Sequence, residues 1–236
     1  MQIVICLYGN SFSSNFLLSW SMLLDSCYKK NISIVVVPGT KLNDSLPRSK
    51  SLGYSVLAGT DQLPFQGKVE YDYLMFLNSD VLFKPDDFFS LLESSHDVTS
   101  GLYMMDDNKN FSVFTKWDTQ YFLKNGCFEY LSPKALDEFK TVSVTKYMPA
   151  VFTGLGFTLM KKGVLEKLKY PVFWADLQTL VNSDVPHTDS NSTSDQKHVV
   201  EVPTEEVALF LNLQNAGFTP YVDTSVRVGR ENLVIL

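Results

Sequence analysis

Cysteine is scarce in this chain. Cys6, Cys27 and Cys127 are the only three in 236 residues. The number is odd, the three lie far apart, no CxxC occurs, and no histidine sits at ligand spacing from any of them. A disulfide framework and a zinc site are therefore not expected, and a reducing, cytoplasmic compartment fits best. Glycine and proline are also sparse, at 12 and 10 residues, which excludes collagen-like and linker-rich classes. Basic residues are outnumbered, with 20 Lys and Arg against 26 Asp and Glu for a net charge of −6. A protein that grips a nucleic-acid backbone carries the opposite excess, so no nucleic-acid partner is expected. No apolar run approaches the roughly 18 residues that a membrane span requires. The opening Met1–Leu7 run has no basic flank and reads as a first strand, not a signal peptide.

What is present is an ordinary globular composition, 45% hydrophobic and 19% charged, with an unusually high aromatic content of 13%. The length suits one domain over residues 1–236, large enough to bury a substantial core. Ile3–Leu7 and Ile32–Val37 are near-continuous apolar strands. Between them, a helical pattern runs to about Lys30 and carries Phe16, Leu17, Trp20, Leu23 and Leu24. This spacing predicts parallel strands covered on both faces. Residues 40–51 read as a polar loop holding Arg48. Tyr73–Leu77 is a third strand, and Pro85 opens a helix with Asp86 and Asp87 in its first turn. Asp97–Tyr103 reads as a strand. The stretch 106–150 is aromatic and mixed, with short strands such as Phe111–Phe114. Val151–Met160 reads as a strand containing two glycines, and 161–169 as a short basic helix. Residues 182–202 are polar and read as a flexible loop. Thr204 is a good N-cap for a helix that stops at Gly217. Tyr221–Val222 and Val226–Val228 read as closing strands.

Four groups of residues could carry chemistry. Asn78-Ser79-Asp80 follows an apolar strand. In extended chain residues 78 and 80 share a side about 6.5–7 Å apart, a spacing suited to holding a divalent cation against a diphosphate. A polar strand-end turn is the plain alternative. Gly154-Leu155-Gly156 implies a kink or a close backbone approach, and is too short for a dinucleotide fingerprint. Glu205 and Glu206 either complement a helix dipole or supply a general base. Arg48 and Arg230 are either surface cations or anion clamps. Trp117, Phe173 and Trp174 could stack on sugar rings or pack in the core.

The order of these groups along the chain resembles the GT-A glycosyltransferases, closest to family 2-like enzymes encoded by large viruses and phages. The likeness covers essentially the whole chain. It implies a Rossmann-like three-layer α/β/α domain with a mixed, mostly parallel central sheet. It also implies transfer of a sugar from a nucleoside-diphosphate sugar to a glycan hydroxyl, by inversion. On this resemblance Glu206 is the base and Glu205 its electrostatic support. Tyr8, Arg48, Asn78, Asp80, Gly154, Gly156 and Arg230 border the donor. In the family Mn²⁺ or Mg²⁺ sits on a DxD motif. Here the first Asp is Asn78, a late metal-binding His is Arg230, and Glu206 stands where Asp is usual. Asn offers a neutral carbonyl and Arg has no lone pair. These departures lead us to expect a weak or absent metal site at Asp80, with the Arg230 guanidinium supplying part of the positive charge. Two other classes remain: a degenerate domain that binds sugar nucleotide or glycan without turnover, and a nucleotidyltransferase. Residues 7–14 lack the Lys or Arg that a nucleotidyltransferase phosphate loop needs.

Overall fold

The computed structural model describes residues 1–39, 46–177 and 203–231. The loop expected over 182–202 lies outside them. Among the described residues, β1 (Gln2–Tyr8), β2 (Ser33–Gly39), β3 (Tyr73–Asn78), β5 (Val98–Leu102), β6 (Tyr147–Pro149), β7 (Phe157–Lys161) and β8 (Tyr221–Arg227) form one sheet. Its order is β2-β1-β3-β7-β5-β8-β6. β4 (Val81–Leu82) and β9 (Gly229–Arg230) form a separate antiparallel ladder, pairing Val81 with Arg230 and Leu82 with Gly229.

The expectation of a mostly parallel sheet needs correcting. β1–β2, β1–β3 and β5–β8 are parallel, whereas β3–β7, β5–β7 and β6–β8 are antiparallel. The cause is β7, which inserts between β3 and β5 and runs against both. Five strands still point one way, so their carboxyl ends share one edge of the sheet.

Period-two alternation explains how the sheet is covered. On β1 and β3, Ile3, Ile5, Met75 and Leu77 face one side. They pack under α1 (Ser14–Lys29) and α3 (Pro85–Leu92) through Phe16, Leu23, Phe88 and Leu91. Val4, Cys6, Leu74 and Phe76 face the other side, against Leu209, Phe210 and Leu213 of α6 (Glu205–Asn215) and Val172 and Phe173. A third cluster sets Leu136 of α5 (Pro133–Val142) against Leu102, Met148 and Val222. Helices thus lie on both faces of the sheet, an α/β architecture with three layers. No helix among the described residues is long and apolar enough to cross a membrane.

Local signals account for the helix boundaries. Ser13 Oγ caps α1 by accepting from Phe16 N–H. Asp118 does the same for α4 (Thr119–Asn125), and Ser132 with Pro133 opens α5. Thr204 Oγ1 accepts from Val207 N–H to start α6, and Gly217 turns the chain beyond it at φ +84°.

Several segments differ from expectation. Arg48 lies in a short helix, α2 (Pro47–Ser51), not a loop. Phe111–Phe114 makes only isolated bridges, and its side chains enter two different clusters, Phe111 and Val113 one and Phe114 another. Phe114 stacks on Phe152 at 4.5 Å and meets Phe128 at 4.9 Å. The segment 161–169 has one 3₁₀ turn, Leu165–Lys167, and not a basic helix, since Val164, Leu165 and Leu168 are buried in the core. The two closing strands are a single one, β8.

One buried charge holds three elements together. Asp223 of β8 is fully buried and accepts hydrogen bonds from Lys146 Nζ (2.7 Å), Ser90 Oγ of α3 (2.8 Å) and Ser225 Oγ (2.5 Å). Burial works to raise its carboxyl, but these bonds outweigh it and hold the group below the ordinary aspartate value. A depressed carboxylate adds stability above its unfolded pKa of about 3.9, and that stability is lost as pH falls through the lower folded value. Asp223→Asn is expected to cost about 1–3 kcal/mol near neutrality. It should also flatten the acid limb of a urea-unfolding series run between about pH 2 and 6. An unchanged acid limb would contradict the assignment.

Candidate functional site

The carboxyl edge of the sheet gathers most of the polar groups singled out in the sequence. β1 ends at Tyr8, β2 at Gly39 and β3 at Asn78, with Tyr8 paired to both neighbours in register. β5 ends one residue before Tyr103. β7 is antiparallel, so its amino end, led in by Gly154–Gly156, reaches the same edge, and Asn78 N–H donates to Gly156 O at 3.0 Å. The start of α6 arrives there too.

Two ion-paired arginines organise this edge. Arg230 Nε donates to Asp80 Oδ2 at 2.9 Å, and its Nη1 lies 2.9 Å from Asp106 Oδ1. β9 brings the arginine to this place through its ladder with β4, and Glu231 N–H donates to Asp80 O at 2.7 Å. Burial disfavours the guanidinium charge, but the Asp80 bond outweighs burial and secures it. Arg48 Nη2 lies 2.5 Å from Glu206 Oε1, and its guanidinium sits over the Tyr8 ring at 4.7 Å. Tyr8 Oη is hydrogen-bonded to Ser51 Oγ at 2.8 Å.

Glu205 and Glu206 behave differently. Glu205 accepts from the backbone N–H groups of Arg48 (3.2 Å) and Ser49 (3.4 Å) at the first turn of α2. Burial pushes its carboxyl above the ordinary glutamate value despite these amides. The carboxylate expected to support the base electrostatically is therefore engaged in fixing the segment that carries Arg48. Glu206 is the acid whose side chain meets a guanidinium.

Tyr103 and Asp106 were not found in the sequence reading. Tyr103 is buried, beside the Asp80–Arg230 pair and within reach of the charges of Glu206 and Arg48. Its Oη accepts from Gly156 N–H at 3.1 Å and bonds with Ser112, and its ring lies 6.0 Å from the Arg230 guanidinium. Burial, helped by the Glu206 charge, pushes its phenol up to about 12, so it is a neutral group at physiological pH. The signal available was position: an aromatic followed by two aspartates just past the carboxyl end of a strand.

The glycines have a physical explanation in the same tyrosine. Gly154 has φ +63°, and a Cβ there would stand 2.1 Å from Tyr103 Oη. A Cβ on Gly156 would stand 2.8 Å from Tyr103 Cζ. Both precede β7 in a loop, not a strand as expected, because this conformation leaves the sheet ladder. Buried hydroxyls fix the loop: Ser100 Oγ bonds Thr153 Oγ1 at 2.6 Å and Thr158 Oγ1 at 2.7 Å, and Thr158 donates to Gly154 O at 2.8 Å.

The residues present do not fit a divalent cation. Among the described residues no group of three or more His, Cys, Asp or Glu could hold a metal ion. Asp80 already shares Oδ2 with a guanidinium, and its buried Oδ1 has no partner among the described residues. The carboxylates of Asp80 and Asp106, both already on the guanidinium, and the neutral Asn78 amide fall short of a cation's usual oxygen shell, and a fixed positive charge at 2.9 Å repels a second one.

Of the sugar-stacking candidates, Phe173 is buried edge-on against Phe76. Trp117 packs on Phe114 and donates to Gln214. Trp174 is half exposed. His96 stacks on Tyr221, while His187 and His198 lie outside the described residues. Two open clefts of about 680 and 440 Å³ are present, one between α1 and α3 that reaches Leu82 and Gly229 of the β4–β9 ladder, and one beneath α5.

The packing of Tyr103 on the glycines is directly testable. Gly154→Ala should lower stability by about 1–3 kcal/mol, from overpacking and a strained positive φ. Combining it with Tyr103→Phe, which removes the nearer of the two hydroxyls in the way (Ser112 Oγ, at 2.6 Å, is the other), should recover part of that loss. Strict additivity of the two changes in a double-mutant cycle would contradict the contact.

Comparisons with known proteins add the fold and nothing finer. No family model matches the chain, and no curated protein matches it. Among solved structures it is similar to one titled "Crystal Structure of A197 from STIV". The TM-score is 0.55 and the sequence identity 17%, over 98% of this chain and 86% of that one. At that identity the likeness is one of fold.

Proposed function

We propose that this protein is a nucleotide-sugar-dependent glycosyltransferase of GT-A type, acting at the carboxyl edge of its sheet by inversion. The observation that carries this reading is that Tyr103, whose ring lies 6.0 Å from the Arg230 guanidinium of the Asp80–Arg230 pair, also feels the charges of Glu206 and Arg48 of the second pair. A site of that kind needs an anion clamp and a carboxylate base a short distance apart, and both are supplied from segments far apart in the sequence. The strand-end location supports it, since open α/β sheets bind ligands there.

The chemistry assigns each group a task. Arg48 lies over the Tyr8 ring, and its Nε is buried without a partner among the described residues. That donor suits a phosphate or base oxygen of the nucleotide. Moving Arg48 from Glu206 to the donor frees the carboxylate. Glu206 then accepts the proton of an acceptor hydroxyl as its oxygen attacks the sugar's anomeric carbon. The bond from that carbon to the diphosphate breaks, and its electron pair leaves with the nucleoside diphosphate. Positive charge aimed at the departing group lowers the barrier. Cys6, fully buried and with its thiol pushed up to about 12 by burial, takes no part.

A second reading has its own observation. The 2.5 Å contact between Arg48 and Glu206 occupies the carboxylate that would have to act as the base. If no ligand breaks that pair, the domain binds sugar nucleotide or glycan without turnover.

Product analysis separates these readings. Released nucleoside diphosphate marks transfer, released pyrophosphate marks nucleotidyl transfer, and binding without either marks a non-catalytic domain. Glu206→Gln is expected to lower the transfer rate by about 10²–10⁴-fold while leaving donor affinity largely intact by calorimetry. Wild-type turnover in that variant would remove the assigned base.

A further inference from the structure

We propose that Arg230 stands in for the cation of this site, so that the protein takes the diphosphate of its ligand on guanidinium N–H groups and needs no divalent metal to do so. The nucleotide-sugar reading is used only to say which molecule carries the diphosphate.

The geometry carries the argument. Asp80 sits just past the carboxyl end of β3, and the positive group it meets is Arg230, at 2.9 Å through Nε. A guanidinium has five N–H donors in a planar fork. Nε faces Asp80 and Nη1 faces Asp106. The side chain is three-quarters buried between its carboxylates and the Tyr103 ring, so its direction is fixed before any ligand arrives. Asp106, in contrast, is 79% exposed. Its bond to Nη1 can be exchanged for an incoming phosphoryl oxygen at little net cost, because one anion replaces another on the same fork. Asp80 would then remain as the group that aims the fork, a positioning residue and not a metal ligand. A dication could not share this place, since the guanidinium already holds Asp80 Oδ2 and would repel a second positive charge.

The experiment is a calorimetric titration of the whole chain with inorganic pyrophosphate and with UDP, GDP, CDP and dTDP. The nucleotides are titrated both in EDTA and in Mn²⁺. Pyrophosphate and at least one nucleoside diphosphate should bind in EDTA, and Mn²⁺ should change the nucleotide affinity by less than about twofold. Arg230→Gln should weaken pyrophosphate at least about tenfold, and Arg230→Lys, which keeps the charge without the fork, should fall between. Far-ultraviolet circular dichroism checks that the variants fold; if Arg230→Gln does not, the chelator comparison on the unaltered chain still decides. Nucleotide binding that requires Mn²⁺ would overturn the proposal and leave the glycosyltransferase reading standing, as would a folded Arg230→Gln with unchanged affinity. Pyrophosphate binding in EDTA with no nucleoside diphosphate bound would keep the arginine site and remove the nucleotide-sugar reading. No binding of any probe in either condition would overturn both.

Discussion

The contact on which the candidate site depends is that of a buried phenol with two glycines. Tyr103 leaves the end of β5 and lays its ring where side chains at 154 and 156 would otherwise stand. Its hydroxyl takes the Gly156 N–H, and Gly156 O in turn takes the N–H of Asn78. One chain of hydrogen bonds therefore connects the ends of β5, β7 and β3. The ring also forms part of the wall beside Arg230. A larger residue at either glycine would move the ring, and with it the surface on which the arginine rests.

Around that fixed ring, each guanidinium is ion-paired with carboxylate. Two guanidinium groups meet three carboxylates, with Glu205 nearby as a fourth, and the four are not equivalent. Glu205 is engaged with backbone amides, and Asp106 is open to solvent. Asp80 and Glu206 are the two that meet arginine in partly buried surroundings. Half-buried arginine–carboxylate pairs gain from a lowered dielectric yet remain close enough to water to exchange partners. That balance suits a site in which an anionic ligand must replace a protein carboxylate without leaving a bare charge behind.

The parts of this architecture that were legible in the sequence are those set by local chemistry. β1, α1, β3 and α3 follow from apolar runs, from Pro85, and from the acidic first turn behind it. The start of α6 follows from Thr204, whose hydroxyl does cap the helix. Non-local choices were not legible. Nothing in Phe157–Lys161 says that it runs antiparallel between β3 and β5, because that is decided by which edges remain to be paired once the chain has folded that far. α4 and α5 were missed, although Asp118 and Ser132-Pro133 mark their starts, because aromatic residues on every side blur the helical period there. The glycines were seen but set in a strand, since an apolar run cannot reveal a positive φ. Asp80, Glu206 and Arg230 were legible only as a sequence order. Asp80 meets Arg230 through the β4–β9 ladder and Glu206 meets Arg48, and neither pairing has a local signature.

The ladder also fixes where the Arg230 guanidinium stands. β9 is two residues long, and its register sets Arg230 opposite Val81, next to Asp80. The backbone bond from Glu231 N–H to Asp80 O and the bond from Asn15 Nδ2 to Glu231 Oε1 at 2.8 Å lock the segment on both sides. A metal ion's presence varies with its concentration and with competing ligands. An arginine delivered by a β-ladder is present whenever the domain is folded. The same short ladder that completes the packing beside α1 thus completes the electrostatics of the edge, and local opening of β9 would remove the positive charge and uncover Asp80 in a single step. Stability of this segment and affinity for an anion at this edge are therefore one linked quantity: a ligand held by Arg230 binds only the closed ladder, and by mass action it stabilises that ladder.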